Sequence, residues 1–165
     1  TDDARITDQT NGLSAVVDGV IDVDTAGSHT HSFSDNYESV VIGYGTNSGK
    51  FTVSGGADLQ IRINGHTDSA YRTHFADGSD VSGTEITLFQ GGFQGLPWTG
   101  QIRFTPGRRP SLTFNGAADV ASGSLGRTGS YDTGGGYDTT DSIEFIATNS
   151  QDVIINDALV IGYKR

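Results

Sequence analysis

Apolar and polar residues alternate in short runs along this chain, and no window repeats its apolar residues at helical spacing over three turns. Side chains two apart on an extended backbone point to one face, so such runs read as strands with one buried side. Ser39-Val-Val-Ile-Gly-Tyr44, Lys50-Phe-Thr-Val-Ser54, Leu59-Gln-Ile-Arg-Ile63 and Tyr71-Arg-Thr-His-Phe75 are of this kind. Glu85-Ile-Thr-Leu-Phe-Gln90, Gln101-Ile-Arg-Phe-Thr105 and Ser111-Leu-Thr-Phe-Asn115 continue the pattern. Ser142-Ile-Glu-Phe-Ile-Ala147, Asp152-Val-Ile-Ile-Asn156 and Ala158-Leu-Val-Ile-Gly-Tyr163 close it. About a dozen strands punctuated by turn residues predict an all-β fold, a two-sheet antiparallel β-sandwich. Jelly-roll-like connectivity is the expected one.

The chain has 165 residues, enough for one domain with a real core, so residues 1–165 are expected to form a single sandwich. Leu13-Ser-Ala-Val-Val17 and Val20-Ile-Asp-Val-Asp24 flank Asp18-Gly19. An Asp-Gly pair between two such runs is a hairpin signal. An extended N-terminal hairpin segment is therefore expected over about residues 1–24. The best helical candidate is Ala117-Ala-Asp-Val-Ala121, and glycines bound it. Val41-Ile-Gly-Tyr44 recurs as Val160-Ile-Gly-Tyr163. Either two core strands share one apolar pattern, or the two strands are neighbours in one sheet. Residues 122–140 are poor in apolar side chains and hold Gly134-Gly-Gly136, so a long loop at one end of the sandwich is expected.

Charge narrows the setting. Of twenty acidic residues only Glu38, Glu85 and Glu144 are Glu; the rest are Asp. Lys50 and Lys164 are the only lysines among ten basic residues, and the net charge is −10. Short, strongly hydrated carboxylates spread over the whole chain suit a protein solvated in concentrated salt. The Debye length is then about 3 Å at 1 M, so self-repulsion costs little. The competing reading is a surface protein in which Asp serves turns and ion sites. The acidic field repels phosphate, so nucleic acid is not an expected partner. No apolar run approaches the ~20 residues needed to span a bilayer, so membrane insertion is not expected. Cysteine is absent, which excludes disulfides and thiol chemistry. Thr1-Asp2-Asp3 carries neither a basic nor an apolar leader pattern, so no signal peptide is expected in this form.

Signals for catalysis are poor. There is no Gly-x-Ser-x-Gly elbow, no His-Glu-x-x-His and no phosphate loop, so the chain is not expected to be an enzyme. His29-Thr-His31 is the sharpest metal candidate. If extended, it aims both imidazoles at one face, and a threefold axis would gather six for Zn or Fe. The alternative is a polar loop with both rings solvated. Asp22-x-Asp24 and Asp77-Gly-Ser-Asp80 offer hard oxygens for Ca²⁺, or are solvated turn carboxylates.

Trp98 stands among Gly and Pro in Gly91-Gly-Phe-Gln-Gly-Leu-Pro-Trp98, which suggests a loop. Exposed, it would stack on a sugar or anchor a neighbouring subunit; buried, it would plug one end of the sandwich. Tyr131 and Tyr137 are the aromatic residues of the 122–140 segment, and Arg108-Arg109 sits in an expected turn as a bridge to acid on a neighbour.

The opening Arg5-Ile-Thr-Asp-Gln-Thr-Asn-Gly-Leu-Ser-Ala-Val-Val-Asp-Gly19 resembles a phrase found near the start of tailed-virus virion proteins, "V-T-D-G-T-N-x-A-x-V" before a β-rich domain. The resemblance covers 15 of 165 residues, departs at Gln9 where Gly is usual, and inserts Gly12. With the acidic composition it implies a structural protein of a haloarchaeal tailed virus: capsid, turret, decoration or tail. The expected partners are further copies of the chain, other virion proteins and a host surface glycan. A carbohydrate-binding β-sandwich module is the alternative and requires Trp98 with Tyr131 or Tyr137 on one surface. A small secreted enzyme or another surface protein is the third reading.

Overall fold

The computed structural model describes residues 14–43, 50–64, 71–75, 80–89, 98–105, 111–118, 124–131 and 141–164. Among these residues thirteen strands form two antiparallel sheets, a β-sandwich as the alternation predicts. Strands β1 (Ser14–Ala26), β3 (Ser39–Ile42), β4 (Lys50–Val53), β6 (Tyr71–Phe75), β7 (Asp80–Gly83), β9 (Trp98–Thr105), β10 (Ser111–Ala118), β11 (Ser124–Tyr131) and β13 (Asp152–Lys164) make the larger sheet. Its order is β1-β13-β3-β9-β10-β11-β6-β7. Strand β4 lies end to end with β3, since both pair with β13 on one side and β9 on the other. Strands β2 (Ser28–Ser32), β5 (Leu59–Ile63), β8 (Ile86–Phe89) and β12 (Ser142–Ala147) make the smaller sheet, in the order β2-β12-β5-β8. The only helical element among the described residues is a 3₁₀ turn at Thr148–Ser150. Among them, no helix is long and apolar enough to cross a membrane.

The alternation predicted for β5 and β12 is met residue by residue, with Leu59, Ile61, Ile63, Ile143, Phe145 and Ala147 buried. Between the sheets Phe51 of β4 stacks on Phe145 of β12, centroids 6.2 Å apart and planes at 28°. Burying each of these rings stabilises the sandwich by about 2–3 kcal/mol.

The chain changes sheet twice at one corner. Gly27, with φ of 82°, carries the backbone from β1 into β2. The 3₁₀ turn carries it back from β12 into β13, and Asn149 and Ser150 both adopt positive φ there. Gly27 donates to the carbonyl of Gln151 at 2.9 Å, and Ala147 donates to the carbonyl of Gly27 at 2.9 Å. Thr148 Oγ1 accepts from the backbone of Asp58 at 2.8 Å, and Ser54 Oγ accepts from the backbone of Asp152 at 2.8 Å. Side chains thus hold a corner that the ladders leave open.

Four expectations are corrected. The N-terminal hairpin is one strand: β1 pairs with β13 from Ser14 opposite Lys164 to Ala26 opposite Asp152. Asp18 is an extra residue there, because Val17 faces Ile161 and Gly19 faces Val160. Val16 and Ile21 are five apart, an odd spacing that would put them on opposite faces of a regular strand. The inserted residue returns both to the core side. The two runs expected over 152–156 and 158–163 are likewise one strand, β13, with a second irregularity at Asp22 opposite Asn156 and Asp157, the latter at φ of 53°. The expected 122–140 loop contains a strand, since β11 pairs with both β10 and β6. Trp98 is not a loop residue; it opens β9 opposite Ala118 and Phe51.

The recurring Val-Ile-Gly motif marks neighbours. Strand β3 pairs with β13, with Ile42 opposite Val160 and Val41 opposite Ile161. Gly43 needs its glycine for a φ of 91°. Gly162 needs it for another reason: a Cβ there would lie 2.3–2.5 Å from ring atoms of Tyr37.

Candidate functional site

The bulge at Asp18 turns a carboxylate into the open side of the sandwich, where edge strands β1 and β2 face each other. The Asp18 side chain is 0% exposed. Its Oδ1 accepts from the backbone N–H of Ser34 at 2.9 Å, from Ser34 Oγ at 2.5 Å and from the Tyr37 hydroxyl at 2.6 Å. Its Oδ2 lies 2.7 Å from His31 Nε2. With the carboxylate ionised, that ring nitrogen carries the hydrogen. Burial alone would raise the Asp18 pKa, but the hydrogen bonds from Ser34, Tyr37 and His31 outweigh it and hold the group at about 2.

The ligands of this carboxylate support one another. Tyr37 is 6% exposed, and its ring lies over Gly162 of β13. Its phenol pKa is pushed up, first by burial and then by donation to Asp18. Phe33 meets the His31 ring edge-on at 5.4 Å and the Tyr37 ring edge-on at 6.4 Å. The neighbouring Asp35 takes the Lys164 ammonium at 2.5 Å on the surface. Lys164 pairs with Ser14, so this ion pair ties the loop of residues 33–38 to the end of β13.

His29 and His31 do share a face, as the extended reading requires, and they lie in strand β2 rather than in a solvated loop. The face is the inward one. His29 stands opposite Phe145 and His31 opposite Ile143, both buried. His31 is 14% exposed and bound to Asp18. The His29 pKa is pushed down, first by burial and then by charge on His31. Among the described residues no three His, Asp or Glu side chains form a group placed to hold a metal ion. His31 is part of a polar clasp between the sheets, and His29 lies two residues before it on the same face.

The clasp is not arranged for acyl transfer. In a nucleophilic relay the hydroxyl would face the imidazole. Here Ser34 Oγ donates to Asp18, and the His31 nitrogen that a serine would need is the one on the carboxylate. What the arrangement does is satisfy an ionised carboxylate with four donors and join β1, β2 and the 33–38 loop.

Other sequence candidates lie apart. Asp22 and Asp24 are exposed on the outer side of β1. Asp80 opens β7, and Asp77 lies outside the described residues. Arg108, Arg109 and Tyr137 also lie outside them. Tyr131 ends β11 opposite Tyr71. On the outer face of the smaller sheet, Arg62 joins Glu85 at 2.5 Å and Glu144 at 3.7 Å, which accounts for two of the three glutamates. Sequence reasoning missed Asp18, Ser34 and Tyr37. Asp18-Gly19 carries a turn signal, and Ser34-Asp35-Asn36-Tyr37 has no period to read.

Comparison with known protein families, with characterised proteins and with solved structures finds no match to this chain.

Proposed function

We propose that this chain is a non-enzymatic structural protein of a virus, assembling into the virion as a capsid, turret, decoration or tail component in a high-salt environment. The reading rests on the division between core and surface. The described core between the sheets is aliphatic and aromatic. Asp22, Asp24 and Asp35 on the described surface are exposed. A rigid strand scaffold with a hydrated carboxylate surface acts through its faces, as an assembly unit does. The tailed-virus resemblance over Arg5–Gly19 and a jelly-roll-like connectivity belong to the same proposal, as do homo-oligomerisation and contact with other virion proteins.

A carbohydrate-binding module is the competing reading, and it needs aromatic side chains gathered on one platform. Across the β9-β10-β11 ladder Trp98 faces Ala118, whereas Ser130 faces Ser111 and Tyr131 lies one residue beyond. At ~3.3 Å per residue, Trp98 and Tyr131 are separated by roughly 25 Å along the strands. Trp98 with Tyr131 would therefore take several sugar rings of an extended chain rather than one, and Trp98 with Tyr137 is the other pairing this reading offers.

The test is peptide mass spectrometry and immunogold labelling of purified halophilic virus particles. Peptides of this chain at structural abundance, with label on the particle, are expected. Absence from the particles, together with selective glycan-array binding lost in Trp98→Ala, would replace the virion reading with the carbohydrate one.

A further inference from the structure

Strand β1 is an edge of the larger sheet: β13 pairs with one side of it from Ser14 to Ala26, and among the described residues no strand pairs with the other. A row of free main-chain donors and acceptors suits a strand as its occupant rather than a small molecule. The same strand carries Val17 and Val20, 63% and 56% exposed, the two large apolar side chains most open to water among the described residues. Both face away from the core, beside Ile161 and Leu159 of β13, while Ala158 and Val160 of that strand face into it. We propose that β1 is a self-association edge: two copies of this chain pair antiparallel through it about a twofold axis between Asp18 and Gly19, with Val17 of each against Val20 of the other.

The bulge selects the occupant. Residues directly opposite each other in an antiparallel ladder share a face. Two residues three apart lie on opposite faces of a regular strand, yet the extra residue Asp18 puts Val17 and Val20 on one. A regular strand meets that bulge as a mismatch, which is how bulges guard edges. A second copy brings the same extra residue to the same place, so bulge lies against bulge and the faces agree on both sides of the axis. Val17 then meets Val20 on the outer face, and Val16 meets Ile21 on the inner one. A shift of one position would turn every outward residue against an inward one.

Charge agrees with this register. Asp18 meets Gly19 and Asp22 meets Ala15, so over Ser14–Val23 no carboxylate stands directly opposite another. Asp18 already has donors from Ser34, Tyr37 and His31 of its own chain. The outward residues Val17, Val20, Leu159 and Ile161 become one apolar surface continuous across both copies. This inference rests on the homo-oligomer reading above and names its surface; it does not depend on the virion.

The chain has no cysteine, so introduced thiols report the register. Chains with Val17→Cys and chains with Val20→Cys are oxidised in about 3 M NaCl, separately and as a mixture. Opposed residues stand about 4.5–5.5 Å apart at Cα, within disulfide reach. The two copies of Val17 lie about 8 Å apart, as do those of Val20, which is beyond it. The mixture should therefore form covalent dimer about tenfold faster, or more, than either variant alone. Val20→Asp, a change at an exposed position, should raise the dimer dissociation constant about tenfold or more while the circular dichroism spectrum stays that of the wild type. An oligomeric wild type with no preference for the mixture, or with assembly unaffected by Val20→Asp, overturns this surface and leaves self-association standing. A wild type of one chain's mass at every concentration overturns both.

Discussion

The carboxylate of Asp18 on β1 and the imidazole of His31 on β2 meet at 2.7 Å, joining the two sheets at their open side. The two residues belong to one stretch of chain that turns from the larger sheet into the smaller at Gly27. The contact therefore closes a loop of the chain on itself and fixes how far the sheets splay at this edge. Because the carboxylate also takes Ser34 and Tyr37, the replacement Asp18→Ala leaves the buried Tyr37 hydroxyl and the largely buried His31 ring without their acceptor, along with the exposed Ser34. A loss of about 3 kcal/mol is expected. Chemical denaturation measures it, and a loss under about 0.5 kcal/mol would show that the clasp does not hold the fold.

The same carboxylate sets an acid limit. Its pKa is about 2 in the folded protein against an ordinary 3.8. Above both values it is ionised whether or not the chain is folded, and its full contribution is present. Between them the unfolded chain binds the proton first, so stability falls as pH drops, and the contribution is gone below about 2. The effect is about 2 kcal/mol over that window. Comparing unfolding of the wild type and Asp18→Asn from neutral pH down isolates it, since the variant should lack this step.

Gly162 is required by the ring above it. A methyl group there would sit 2.3–2.5 Å from Tyr37, so Gly162→Ala should cost about 1–3 kcal/mol through overpacking. In a Tyr37→Ala background the same substitution should cost little, which a double-mutant cycle reads directly. Equal costs in both backgrounds would mean that the contact does not constrain this position.

Salt should stabilise the protein. With a net charge of −10 and two lysines, raising KCl from about 0.1 M to about 3 M screens carboxylate repulsion and strengthens apolar burial. The melting temperature should climb across that range. A flat or falling curve would remove the basis for a high-salt habitat.

Much of the architecture is legible in the sequence because burial imposes period two wherever one face of a strand is covered. Leu59-Gln-Ile-Arg-Ile63 shows this best, and its strand carries those bounds. The errors share a physical cause. Asp18-Gly19 and Asn156-Asp157 are residues that turns favour, but bulges use the same local geometry. Only the pairing partner, β13 for one and β1 for the other, distinguishes the two. Strand β11 was hidden because Ser124-Leu-Gly-Arg-Thr-Gly-Ser-Tyr131 has little apolar alternation, and its partners β10 and β6 define it. The clasp was illegible for a related reason. Asp18, His31, Ser34 and Tyr37 are spread over twenty residues and meet only because the chain changes sheet at Gly27.

Assembly is the central claim, and light scattering coupled to size-exclusion chromatography in about 3 M NaCl tests it most directly. The expected result is a mass that is a whole multiple of 17.3 kDa and rises with concentration. The contact should bury more than about 1,000 Å² in total. A mass of one chain at every concentration would contradict the account.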